Sequence, residues 1–387
     1  MAFLSNSAVN RANLHYAIQA VAMGAGGVFF LAYLLRAGVS VPLTLLTQVA
    51  IVGCRYGVRR AVLPLARRFG LRPLLIGGAL ALGVQYPLLS QVHGVDVWLL
   101  ATVLVASTGD ALYWPCYHAY FAAIGDEAAR GRQIGAREAA AAAVGVVAPL
   151  LGAWMLLHFG ALGAFGVVSL IQAASVLPLL GAPNIQISND AAAEGPQTRT
   201  AIMLFVADGW TAACFFFVWQ IVLFISLGRN LAAFGGAAAL AALAGAVAGL
   251  LAGRFIDLGH GRRAALIANL VFAAAALMRS ASVGSPWLAV GANALGAFVA
   301  TPVVAATMTA VYNLAKASPC ALRFHVAVEG GWDLGCAAGC LTAAAMVATG
   351  APLYAVIGLT VLGAAASATL LWRHYASGAS RDEAIAA

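Results

Sequence analysis

The chain has 387 residues, of which 63% are hydrophobic and only 9% charged, with 21 Lys and Arg against 13 Asp and Glu. Apolar runs long enough to carry a helix across a hydrocarbon core about 30 Å thick recur along its whole length. That pattern excludes a soluble globular protein, and it excludes an outer-membrane barrel, whose strands would alternate in polarity over about ten residues.

Twelve spans are expected, over residues 13–35, 41–65, 73–92, 97–122, 135–158, 161–182, 201–227, 231–256, 264–283, 287–314, 324–347 and 352–372. They are helices, because lipid leaves every backbone group to be paired within its own segment. The first run is too long for a secretory leader and no A-x-A-like site follows it, so no cleavable segment is expected. It carries His15 and Gln19 four residues apart. The second span carries Arg55, with Arg59 one turn below. Arg55 either snorkels towards the membrane surface or faces a cavity and holds an anionic group in fork geometry. The loop that follows, residues 63–72, reads LPLARRFGLR and contributes Arg67 and Arg68.

Span four carries the densest constellation. Asp110, Tyr113, Trp114, Tyr117, His118 and Phe121 fall at i, i+3, i+4, i+7, i+8 and i+11, which is one face of a helix. An ionisable group at bilayer depth costs at least about 2.5–3.5 kcal/mol on insertion scales, so it marks a functional site by default. The face reads either as packing or as the lining of a cavity, and an acid with a His on an aromatic stripe favours the cavity. Span five contains GVVAPLLG at 145–152. The longest polar stretch, GAPNIQISNDAAAEGPQTRT at 181–200, reads as a linker at 183–200 between a first half, 1–182, and a second, 201–387.

Span seven carries Asp208, followed by Trp219 and Gln220 further along the same helix. Span eight leads into GRFIDLGHGRR at 253–263, which includes Asp257. Span nine has only Arg279, at its outer end. Span eleven offers His325, Glu329, Trp332 and Asp333 on one face, and the two acids, one turn apart, repel each other. The halves repeat with an offset of 191: Gly70 maps onto Gly261, Arg132 onto Arg323 and Glu138 onto Glu329. The repeat mate of Arg55 is Ala246.

Eighteen of the 21 basic residues fall on the side of the termini, and only Arg36, Arg229 and Arg279 on the other. This bias puts both termini in the cytoplasm and the chain in the cytoplasmic (inner) membrane. It also explains the formal charge of +8 without nucleic acid, since the basic residues are spread over six segments and lack interleaved aromatics. None of the six cysteines falls in a predicted outer loop, so no disulfide framework is expected. Cys336 and Cys340 lie four apart with no His at a matching offset, so no metal is assigned. A nucleotide loop is absent and Lys316 is the single Lys, which argues against an ATP-driven pump and implies no cofactor.

With twelve spans, a duplicated six-helix unit and a central loop, the chain resembles the major facilitator superfamily of secondary transporters. Residues 253–263 are similar to that family's G-x-x-x-D-x-x-G-R-R/K loop, 63–72 look like a degenerate first copy lacking the acid, and 145–152 are similar to the tail of an antiporter signature. The resemblance implies an all-α polytopic fold of two pseudo-symmetric bundles with a midplane site and alternating access. A monomeric, proton-coupled carrier of a small organic solute is expected, with export slightly favoured and no catalytic residue. A transporter-like sensor or assembly partner, or a membrane-embedded transferase, are the alternatives. Expected proton carriers are Asp110, Asp333, Asp208, Glu329 and His118. Expected solute contacts are Gln19, Arg55, Tyr113, Trp114, Tyr117, Trp219 and Gln220. A cytoplasmic gate is expected in which Asp257 meets Arg132 or Arg137, and Glu329 meets Arg67 or Arg68.

Overall fold

The computed structural model describes residues 6–125, 130–187, 196–256, 261–316 and 318–386. Among them all regular structure is helical. Twelve long helices cross the molecule: α1 Ser7–Arg36, α2 Val41–Phe69, α3 Leu71–Ser90, α4 Val97–Ile124, α6 Gly160–Leu180, α7 Thr198–Ser226 and α12 Leu353–Tyr375, with α5 Arg130–His158, α8 Leu231–Ile256, α9 Gly261–Ala281, α10 Pro286–Lys316 and α11 Ala321–Ala348. Eleven are apolar enough over their length to span a bilayer, and α9 adds a shorter apolar stretch at Leu266–Ala281. Leu170, Leu250 and Trp287, exposed by 71%, 78% and 87%, belong to the apolar outer surface that such a bundle turns to lipid.

Helix starts follow local chemistry. Asn6 caps α1 by accepting the N–H of Val9 at 3.1 Å. Asp96 caps α4, accepting from Leu99 at 2.8 Å and from His93 at 2.9 Å. The His93 bond, with that of Leu99, holds the exposed Asp96 carboxyl below its usual range. The cap is therefore complete above the usual carboxyl pKa and is lost as pH falls through the lowered one. α1 breaks into a short 3₁₀ turn at Gly27–Phe29. There Tyr86 of α3 donates to the carbonyl of Ala22 at 3.3 Å, and a side chain on Gly26 would collide with the same ring.

The helices form two six-helix bundles with the same internal pairings. In the first, α1 packs on α5 and α6, α3 on α4 and α6, and α2 on α4; in the second, α7 packs on α11 and α12, α9 on α10 and α12, and α8 on α10. The bundles meet along two seams, α2 with α11 and α5 with α8. The duplication is also written in the turns at the end away from the termini. Gly38, Gly94 and Gly160 have positive φ, and so do Gly228, Gly284 and Gly350, each 190 residues later.

At that end the bundles share one apolar core, in which Phe29 of α1 meets Phe234 of α8 edge-on at 5.8 Å and Phe224 of α7 meets the same ring at 5.6 Å. At the terminus-bearing end there are two separate cores, one for each half, the first also taking in Leu322 of α11. The start of the expected linker is packed: Asn184 donates to Phe69 and accepts from the backbone N–H of Arg72, and Ile185 accepts from Leu71. Gly70, at φ 82°, makes room for that amide, because a Cβ there would overlap the Asn184 side chain.

Arg279, expected at the outer end of span nine, lies in the last turn of α9. It is 2% exposed, and its guanidinium points inward from α9. Nη1 donates to the carbonyl of Phe215 at 2.6 Å, within a π-helical turn of α7 at Ala212–Val218, and the cation lies 3.7 Å from the Phe215 ring. Gly296 of α10 leaves the space that the guanidinium fills. Arg279→Met keeps the length and removes the donors, which should cost about 1–3 kcal/mol and lower the Tm in detergent by several degrees. An unchanged Tm would show that the π turn stands without this donor.

Candidate functional site

The middle of the molecule is held by an ion ladder across the α2–α11 seam. The two helices run antiparallel, so residues four apart on one meet residues four apart on the other. Arg55 donates Nε to Oδ1 of Asp333 at 2.6 Å, and its Nη2 pairs with the same oxygen. Arg59, one turn on, donates Nη2 to Oδ2 of Asp333 at 2.6 Å and lies 3.6 Å from Glu329. Asp110 of α4 approaches the other side of Arg55 at 3.6 Å and accepts the indole N–H of Trp114 at 3.1 Å. Arg55, Arg59 and Asp333 are 6%, 3% and 2% exposed, so this network sits away from water.

A cavity of about 340 Å³ opens beside the ladder in the second half, between α7, α10 and α11. Asp208, Phe216, Phe217, Gln220, Met308 and Trp332 are among its walls. Trp332 joins the cavity to the ladder. Its indole N–H donates to Oδ2 of Asp208 at 3.0 Å, and the Arg55 guanidinium lies 4.9 Å from its ring. A change in charge at Asp208 thus has a two-contact path to the ion pair.

The α4 face divides into two strips. Asp110, Trp114 and His118 turn towards the second half, and His118 stacks on His325 of α11 at 5.3 Å and lies 3.3 Å from the hydroxyl of Tyr312 in α10. Tyr113 and Tyr117 are instead sealed into the first half's core, 0% and 1% exposed, which corrects the expectation that they touch solute. Tyr113 donates to Nε2 of His15 at 2.9 Å, since the other ring nitrogen faces the Ser175 carbonyl at 2.7 Å and must carry the proton. Six positions drawn from two heptads cover too wide an arc to point at one place, because 3.6 residues per turn separate the i+3 and i+4 strips.

Other expectations are corrected in the same way. Arg55 neither snorkels nor waits for an anion, because its fork is committed to Asp333. Trp219 is 2% exposed in the apolar core at the far end and donates to Asn293 at 3.0 Å, so it is not a cavity residue. Gln19 is buried, with its amide nitrogen 3.9 Å from the sulfur of Met23. Gln220 does line the cavity. Glu329 meets Arg59 rather than Arg67 or Arg68, which lie about 12 Å further along α2 at 1.5 Å per residue. Arg68 lies against the ring of Phe69. Arg137 pairs with Glu138 and sits over Tyr16, Tyr117 and Phe121, all within its own half. Asp257 lies outside the described residues, and of Arg132 only the backbone is described.

Two positions at the site were not singled out by the sequence reading. Arg59 was read only as a companion of Arg55, and Tyr312 carried no charge to draw notice. The available signal was in the pairing: two basic residues four apart on one inner helix, and two acids four apart on another. Removing one member of a buried pair costs about 3–5 kcal/mol, whereas replacing both by apolar groups is often nearly neutral. Arg55→Leu and Asp333→Leu should each lower the Tm sharply, and the double variant should recover more than half of the larger loss. Additive losses would show that the two side chains are not coupled.

Comparison with known proteins follows from this geometry. Residues 61–228 match the family model described as Major Facilitator Superfamily. Two solved structures are similar over 94% of this chain and 94% of theirs, each with a TM-score of 0.71 and 10% identity: a POT family transporter in complex with a thioalcohol-conjugated peptide, and a POT family transporter in complex with 5-aminolevulinic acid. No curated protein matches the chain. The chain thus matches the Major Facilitator Superfamily model over residues 61–228 and shares the fold of these two POT family transporters over 94% of its length.

Proposed function

We propose that this protein is a secondary active transporter that moves a small organic solute by alternating access, coupled to protons, with export slightly favoured. The observation that carries the reading is the buried ladder across the α2–α11 seam with a cavity beside it. The seam is a moving part in this mechanism. When the halves rock, the ladder opens on one side of the membrane and re-forms as they return. Protonation of Asp333 would remove the charge that two arginines share and so weaken the closed seam. Asp110, Asp208 and Glu329 supply further carboxyls next to it, and His118 adds a titratable group at the contact with His325 and Tyr312.

Three observations support the reading. The similar solved structures carry a conjugated peptide and 5-aminolevulinic acid, both organic solutes. The cavity has the volume of a small-ligand pocket and mixed polar and apolar walls. The antiporter-like stretch at 145–152 lies where α5 meets α1 and α8: a Cβ on Gly152 would collide with Ala25, and one on Gly235 with Ala153 and the Pro149 carbonyl. Small residues at a helix contact allow such close approach, and that suits a bearing between rocking bodies. In this proposal the loop acid Asp257, with Arg132 or Arg137, forms a further gate at the terminus-bearing end.

Proteoliposomes with an imposed pH gradient test the function against a panel of organic solutes. Gradient-driven accumulation is expected for at least one. Asp110→Asn and Asp333→Asn should abolish accumulation while leaving solute exchange partly intact, and accumulation at the wild-type level in both would remove these carboxyls from the coupling. Trp332→Phe tests the link between cavity and ladder. It keeps a ring beside Arg55 but loses the N–H to Asp208, so it should leave folding intact and lower the number of protons moved per solute. A wild-type stoichiometry would show that the indole bond plays no part.

A further inference from the structure

We propose, on the transport reading above, that the solute is a monovalent organic cation with an apolar body, and that Asp208 is the group that receives its charge. Four carboxyls, Asp110, Asp208, Glu329 and Asp333, cluster about the ladder and its cavity, against two guanidiniums, Arg55 and Arg59. Both arginines are bonded to Asp333, and their remaining contacts go to Asp110 and Glu329. An incoming anion would have to compete with Asp333, which both guanidiniums already hold. It would also enter a region with more acids than bases, where each added negative charge is repelled at low dielectric.

Asp208 is in the opposite position. Among the described residues no basic side chain pairs with it, and the Trp332 indole is its one hydrogen-bond donor. That bond occupies Oδ2 and leaves Oδ1 without a donor among the described residues, on a side chain that lines the cavity together with Phe216, Phe217, Met308 and Gln220. A carboxylate backed by aromatic rings and a thioether suits a soft cation. The charge meets the acid, the ring faces attract it further, and the apolar body is taken out of water by the phenylalanines. At about 340 Å³ the cavity lies at the lower end of the about 300–1,000 Å³ of small-ligand pockets, which fits a single-ring solute.

The test uses the full-length protein in detergent and three probes with one aromatic ring each: benzyltrimethylammonium, which stays charged at every pH, phenylacetate, and zwitterionic phenylalanine. Calorimetric titration should detect the cation and find phenylacetate at least about tenfold weaker, the factor that 1.4 kcal/mol corresponds to. Asp208→Asn keeps an oxygen for the Trp332 N–H and removes the charge. It should weaken the cation at least about tenfold, while the exposed Arg60→Gln leaves it unchanged. Tighter binding of phenylacetate, no binding of the cation, or full affinity in Asp208→Asn would each overturn the inference. The transport reading fails separately. A cation that binds through Asp208 but is not carried into proteoliposomes leaves the site and removes the function. A different solute that is carried equally by wild type and Asp208→Asn leaves the function and removes the site.

Discussion

A charge near the middle of a helix that crosses hydrocarbon must find its opposite inside the protein, and Arg55 with Asp333 is where this chain meets that demand. The rest of the centre takes its arrangement from that pair. Arg59 completes the second oxygen of Asp333, Asp110 closes on the far side of Arg55, and the Trp332 ring lies beside the same guanidinium. Charge-assisted bonds of this kind have narrow geometry. They fix the register of α2 against α11 more tightly than apolar packing does, since leucine rows slide at little cost and a fork on a carboxylate does not. Gly330 accepts the ring of Tyr56 on the same seam, which lets the two helices come close enough for the bonds to form.

The contacts between halves change character with depth. At the end away from the termini they are rings and aliphatic side chains in one continuous core, at the middle they are ions, and at the other end a histidine stacks on a histidine across the gap. The first kind resists opening through buried area. The second depends on protonation, and the third on the tilt of three rings. Arg279 adds stiffness to the first layer. By holding the π turn of α7 from within, it ties an outer helix to an inner one and keeps Trp219 packed between them.

Much of the fold was legible because the lipid constraint acts on every residue of a span. The twelve apolar runs appear in the structure as helices, and the duplication as matching pairings within two bundles. The site was legible by type and not by partner. Asp110, Asp208, Glu329, Asp333 and Arg55 do gather about one cavity and its edge, as intramembrane charges should. Which of them pair depends on helix rotation, and a periodicity fixes rotation only to within a strip. That is why Tyr113 and Tyr117 were grouped with Asp110 yet turn into the core, and why Trp219 was grouped with Gln220 although adjacent residues lie about 100° apart on a helix. The inward contacts of Arg279 were not legible for another reason. Its partners are backbone carbonyls, and a carbonyl leaves no mark in a sequence.

The two seams of the duplicated architecture are not copies of each other. At an offset of 191, Arg55 corresponds to Ala246, Arg59 to Leu250 and Asp333 to Ala142. The seam between α5 and α8 is accordingly built from small neutral side chains, with Gly145 near Ala242 and Gly235 against Ala153. A pair of identical subunits would have had two ionic seams or none. This chain has an ionic seam on one side and a neutral one on the other. On the transport reading proposed above, acid, salt or a charged cargo would act on the ionic seam alone, which would give the rocking of the halves a direction.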